Sequence, residues 1–301
     1  MRRRDFIKTT AIASSAALTS SLTRPLMAIP ADSKYKATIG LQLWTVRNQL
    51  AEDKPGTLKS VADAGYYQVE FGGVDQGLEL QPICKDLGLK MTSSFVDWQS
   101  ICNPTNKNAP SLETLVEDAE KLGVKHLVFG YIGKRFRQTG DQYRAYIERS
   151  NRFGEMCKKA DIQLCYHNHA FEFEKLEGDK TGFDLLMEGF DPENCKFELD
   201  VFWAQIGGWD PCETLERLKG RVSQVHLKDL KVGTKVFYDE GQVPYDAFKE
   251  LGSGSIDMAK VLKVAETIGV EQCHVEQDQS PDPIQSIGQS IAHLNLSLIH
   301  I

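Results

Sequence analysis

The sequence predicts an α/β protein folded as one (β/α)8, or TIM, barrel, and three observations predict it. An amphipathic segment ending in glycine and followed by a short apolar or β-branched run recurs along the chain, as at Gly65 before 67–71, Gly123 before 126–129 and Gly269 before 272–276. Glycine just past a helix supplies the left-handed C′ position, and the run behind it suits a buried parallel strand. Eight such strands can be counted, and 301 residues fall within the length at which a barrel forms a single domain. Polar residues gather at the C-terminal ends of the strands, where barrels carry their sites.

In order, strands are predicted near 38–44, 67–71, 90–95, 126–130, 163–168, 195–200, 222–227 and 272–276. Helices fit near 54–64, 78–87, 111–122, 141–160, 181–189, 210–219, 258–268 and 283–294. Alternation of parallel strands and helices favours a closed barrel over a doubly wound sheet. The connection from Asp229 to Ile256, after the seventh strand, is long enough to read as a substrate-covering lid.

The barrel is assigned to residues 32–295. Before it, Arg2-Arg3-Arg4-Asp5-Phe6-Ile7-Lys8 and the weakly apolar stretch Ala11–Leu22 resemble a twin-arginine export signal spanning 1–31, which implies a periplasmic or otherwise exported protein. After it, Leu296-Ser297-Leu298-Ile299-His300-Ile301 reads as translated sequencing-adapter DNA, so 296–301 are expected to be an artefact. Residues 1–31 hold five basic side chains and one acid, so the remainder is four charges more negative than the −7 of the whole. Nucleic acid is therefore not expected as a partner, since phosphate binding needs clustered Lys and Arg. Apolar runs are too short for stable membrane insertion once the signal is removed. Seven cysteines with no CxxC spacing read as small core residues.

The candidate site follows from the strand ends. Alternation puts His167 with His169, Glu198 with Asp200, His226 with Lys228 and His274 with Glu276 on shared faces, the later member nearer the mouth. His167, Asp200, His226 and Glu276 form a mixed N/O set suited to one divalent ion, with Mn, Mg, Zn, Co and Fe(II) all open. Glu276, His169 and Glu70 are candidate acids and bases, and Lys228 is placed to steady an oxyanion or to pair with a carboxylate such as Glu198. Gln42, Trp44, Trp203 and Asp229 are candidate substrate contacts, with Trp209 a further aromatic platform for a sugar face. His126 and His293 read as structural or exposed, and His274 as a buried layer residue.

The segments Gly40–Arg47, Val69-Glu70-Phe71, Tyr166–Phe173, Leu199–Trp203, Val225–Asp229 and His274-Val275-Glu276 resemble the sugar phosphate isomerase/epimerase family of xylose isomerase-like barrels. In epimerising relatives a Glu, an Asp, a His and a Glu hold the metal on strands five to eight. The last three carry over to Asp200, His226 and Glu276, whereas strand five offers His167 in place of Glu. The resemblance implies a metal-dependent isomerase or epimerase of an unphosphorylated keto-sugar, acting by proton abstraction next to a carbonyl. A lyase or dehydratase of 3-keto-glycosides is the alternative, because it needs no second Glu. A non-catalytic sugar-binding barrel and an endonuclease-type phosphodiesterase are lesser readings, and homo-oligomerisation is common in such barrels.

Overall fold

The computed structural model describes residues 33–295, so the expected export signal and terminal artefact lie outside the described residues. Eight parallel strands close into a barrel: β1 (Gly40–Gln42), β2 (Gln68–Phe71), β3 (Lys90–Phe95), β4 (His126–Phe129), β5 (Gln163–His167), β6 (Cys195–Asp200), β7 (Val222–Leu227) and β8 (Gln272–Val275). Each pairs with its sequence neighbours, and β1 closes the ring on β8 with Gly40 opposite His274. The outer layer is α1 (Lys54–Ala64), α2 (Val74–Leu87), α3 (Leu112–Leu122), α4 (Gly140–Lys159), α5 (Gly182–Gly189), α6 (Pro211–Arg217), α7 (Met258–Ile268) and α8 (Pro283–Asn295). The expected (β/α)8 architecture is the one observed.

Local chemistry explains where the helices begin and end. Ser111 accepts a hydrogen bond from Thr114 N to start α3, and Thr139 with Gln142 makes a capping box at α4; such caps are worth about 1 kcal/mol each. Gly65, Gly123 and Gly269 end their helices at φ values of 100°, 82° and 88°. Helix α2 begins four residues earlier than its predicted start near 78. Gly77, a poor helix former, masks this first turn in the sequence, and its missing side chain lets the helix sit against Phe71 and Leu122.

Inside the barrel the usual apolar layers are interrupted by polar ones: Gln42, Gln68, Glu70, Ser93, Glu198, Gln224, His226 and His274 are all buried. Gly40 is required here, because a Cβ at that position would collide with the His274 ring. The 229–256 connection is more ordered than a bare loop. Asp229–Leu230 pairs antiparallel with Phe248–Lys249, and the segment between brings Glu240, Gly241 and Val243 to the cavity at the strand ends.

Candidate active site

Strand register brings the mouth together. Asp200 stands opposite His226, His226 opposite His274, and Gln42 opposite Glu70. The end of β6 is locked to β5 by Asn168, which accepts from Asp200 N at 3.0 Å and donates to Asp200 O at 3.2 Å. Asp200 itself divides its carboxylate. Oδ1 accepts from Trp203 N at 2.9 Å to cap the short helix Val201–Ile206, while Oδ2 turns to His167 and Lys228. That helix, absent from the predicted elements, fixes the side chain of Asp200.

His167, Asp200, His226 and Glu276 present ligand atoms all within 4.8 Å of one another, and all four are buried. His226 offers Nδ1 to this group, 2.8 Å from Glu276 Oε2 and 3.8 Å from Asp200 Oδ2, while its Nε2 faces Glu70 Oε1 at 2.6 Å. A carboxylate behind a ligating histidine orients the ring and raises its basicity. Glu70 thus stands behind the imidazole, also accepting from Gln42 Nε2 at 2.8 Å, and does not line the mouth cavity. Of the roles the sequence leaves open to Glu70, general base, substrate acceptor or buried acid, this position matches the buried acid.

Lys228 Nζ lies 3.0 Å from Asp200, 2.6 Å from Glu276 and 2.7 Å from Asp278. The sequence leaves Lys228 to steady an oxyanion or to pair with a carboxylate such as Glu198; it pairs with these three instead of Glu198, because alternation puts Glu198 one layer deeper and Lys228 at the mouth. Burial disfavours the ammonium, but the three carboxylates outweigh it and raise the Lys228 pKa well above the ordinary lysine value. For Asp200, burial is outweighed by Lys228 and His167, so its pKa is held down. Burial also opposes ionisation of Glu276, yet Lys228 and His226 keep that carboxyl well below the usual range. Burial pushes Asp278 up to about 6 despite Lys228. His169 is kept neutral by burial, with the charges of His167 and Lys228 adding to the effect.

Three carboxylates around one ammonium leave net negative charge in a buried space, and mixed imidazole and carboxylate donors suit a divalent ion. The residues fit such an ion.

Above the cluster opens a cavity of about 720 Å³, lined by both histidines of the Tyr166–His169 segment, by Lys228, Glu276 and Asp278, and by aromatic walls. Trp44 stands at the rim, 49% exposed, with the Arg47 guanidinium 4.5 Å from its ring centroid. Trp203 lines the wall, as does Gln42, whose Oε1 also accepts from Trp44 N. His169 packs between the rings of Tyr131, Phe171 and Trp203, and Glu172 holds its backbone N–H at 2.9 Å. The connection after β7 contributes Glu240, which pairs with Arg137 and accepts from Tyr131 Oη at 2.8 Å.

Two expected contacts lie elsewhere. Asp229 accepts from the backbone N–H groups of Leu230, Gly252, Gly254 and Ile256, so its carboxylate braces the long connection and does not face the cavity. Trp209 packs on Phe173 and Phe183. Conversely, Asp278 was not singled out, although alternation extends the His274 and Glu276 face to it. Phe95, 5.4 Å from the His167 ring, carries no sequence signal beyond hydrophobicity.

The sequence profile of the xylose isomerase-like TIM barrels matches residues 58–296. The chain belongs to that family. Among similar proteins, an inosose dehydratase of Geobacillus kaustophilus is 24% identical over 250 residues, covering 74% of this chain and 80% of the relative. The rhizopine catabolism protein MocC of Rhizobium meliloti is 24% identical over 262 residues, or 80% of this chain and 79% of that one. A crystal structure described as a sugar phosphate isomerase/epimerase from Parabacteroides distasonis superposes with a TM-score of 0.68 at 26% identity, covering 91% of this chain and 99% of the other. Proteins similar to this chain thus include isomerases, epimerases and dehydratases.

Proposed function

We propose that this protein is a metal-assisted lyase that eliminates a substituent from the β position of a cyclic, unphosphorylated polyhydroxy ketone, such as a keto-cyclitol or a 3-keto-glycoside. The observation carrying this reading is the asymmetry of the site. Epimerisation needs acid/base groups on both faces of the substrate, whereas here Glu276 is engaged by Lys228 and His226, and β5 supplies imidazoles in place of a second glutamate. The cations nearest the mouth are already engaged, Lys228 by three carboxylates and Arg137 by Glu240, which disfavours a phosphorylated substrate. The inosose dehydratase relative supports elimination from a ketone.

His167, Asp200, His226 Nδ1 and Glu276 would hold the divalent ion. When bound, it supplies Lewis-acid polarisation of the ketone oxygen and lowers the cost of negative charge there. His169, neutral and immobilised by aromatic packing, takes the proton α to the carbonyl. The carbon–oxygen bond at the β position then breaks, and the same imidazole returns that proton to the departing oxygen. One acid/base group therefore suffices. Lys228 stays charged and donates to the oxygen on which charge develops. Trp44 and Trp203 contact the apolar face of the ring.

Zinc-loaded protein, offered 2-keto-inositol and a 3-keto-glucoside in deuterium oxide, is expected to form a conjugated enone, and His169→Asn to lose roughly 10²- to 10⁴-fold in rate. Clean interconversion of ketose epimers without elimination would overturn the lyase. That outcome supports the second reading, an isomerase or epimerase of an unphosphorylated keto-sugar, which the likeness to the Parabacteroides distasonis structure favours. Export through the twin-arginine route, with action on the substrate outside the cytoplasm, is part of the proposal.

A further inference from the structure

Beneath the mouth lies a second ionisable cluster, of which the proposed reaction uses only His226. Glu70, Glu198, His226 and His274 offer ligand atoms within 4.8 Å of one another, and all four residues are fully buried. His226 Nε2 is 2.6 Å from Glu70 Oε1 and 3.3 Å from Glu198 Oε1, and His274 Nδ1 is 4.0 Å from Glu198 Oε1.

Glu70 Oε2, Glu198 Oε2 and His274 Nδ1 have no hydrogen-bond partner, and neither does Oε1 of Gln224, whose Nε2 donates to Glu198. Buried polar atoms left without a partner are costly, and carboxylate oxygens among them call for something that accepts electron pairs. Water is a poor filler. It needs space for about one probe sphere of 1.4 Å radius, and these atoms have essentially no accessible surface. A bare metal ion needs far less room, since nitrogen and oxygen ligands stand roughly 2.0–2.2 Å from it and hence up to about 4.4 Å from one another.

We infer that Glu70, Glu198, His274 and His226 Nε2 form a second divalent-cation centre inside the barrel. Two imidazoles and two carboxylates select a borderline ion of the zinc type over Mg²⁺ or Ca²⁺, which prefer all-oxygen sites. The His226 ring faces both centres, Nδ1 upward and Nε2 downward; an ion in the inner centre takes the place of the Nε2–Glu70 hydrogen bond, and filling both centres releases the ring proton to solvent and ties the ions through one imidazolate. The inner centre shares His226 with the ion of the proposed lyase but takes no part in the elimination, so it survives if that reading fails.

The test is zinc content of the full chain after loading with Zn²⁺ and desalting, with circular dichroism melts to confirm folding of each variant. Wild type is expected to hold two ions per chain, Glu198→Gln one and Asp200→Asn one. A single ion in wild type, kept in Glu198→Gln, overturns the inner centre and leaves the two glutamates sharing a proton. A single ion lost in Glu198→Gln but kept in Asp200→Asn upholds the inner centre and overturns the outer one. No ion at all overturns both. Anomalous scattering at the zinc edge from wild-type crystals decides the matter independently of whether a variant folds: a peak between Glu70, Glu198 and His274 supports the inner centre, and its absence beside a peak at Asp200 removes it.

Discussion

At the scale of single residues, two side chains set measurable limits. Lys228 is the ammonium among Asp200, Glu276 and Asp278, and removing one partner of a buried ionic group costs about 3–5 kcal/mol. Lys228→Met is expected to lose that much stability in chelated protein, and clearly less when zinc takes over part of the charge. Denaturant midpoints with and without Zn²⁺ would show it; equal losses in both states would mean that no ion shares the carboxylates. Glu172 is the second case. Burial raises its pKa to about 7 against the hydrogen bonds from Tyr166 and His169 N. The folded state therefore binds this proton more tightly than the unfolded state. The stability it contributes is complete below the unfolded value of 4.5 and is lost as pH rises through about 7. Relative to Glu172→Gln, wild type should lose on the order of 3 kcal/mol between roughly pH 4 and pH 8. A constant gap between the two melting curves across that range would place the Glu172 pKa elsewhere.

At the scale of elements, the connection after β7 depends on one carboxylate. Asp229 satisfies four backbone N–H groups, and leaving buried donors unpaired costs about 1–3 kcal/mol apiece. In Asp229→Ala, faster amide exchange is expected at Gly252, Gly254 and Ile256, together with a raised KM, because Glu240 and Val243 of the same connection line the cavity. Unchanged exchange at these three amides would show that water replaces the carboxylate. This residue also shows where sequence reading falls short. Asp229 sits at a strand end, the position that identifies site residues in a barrel, and only the turn of the chain after it decides that its oxygens serve the backbone. Asp200 and His226 were legible because each ends an apolar strand with fixed alternation. Glu70 was legible as a buried acid but not as the group behind His226, since that relation crosses the barrel and follows from closure of the ring rather than from spacing.

At the scale of the whole molecule, the eight strands and eight outer helices were readable from glycine-terminated repeats, whereas the short helices Gln99–Cys102 and Val201–Ile206 were too brief to carry a period. If an ion holds β5 to β8 together at the mouth, chelation should lower the melting temperature. At an ion concentration one hundred times Kd the difference is about 2.7 kcal/mol. A melting temperature indifferent to EDTA would argue that the carboxylates are balanced by Lys228 alone. The seven cysteines add a practical consequence. All are unpaired and buried, and they are spread over α2, the short helix Gln99–Cys102, α4, β5, β6, α6 and β8. A thiol shut away from solvent reacts with an alkylating reagent only when its own part of the chain opens. A brief pulse of such a reagent, read by peptide mass, therefore times the opening of seven separate places in the barrel without introducing a single foreign probe.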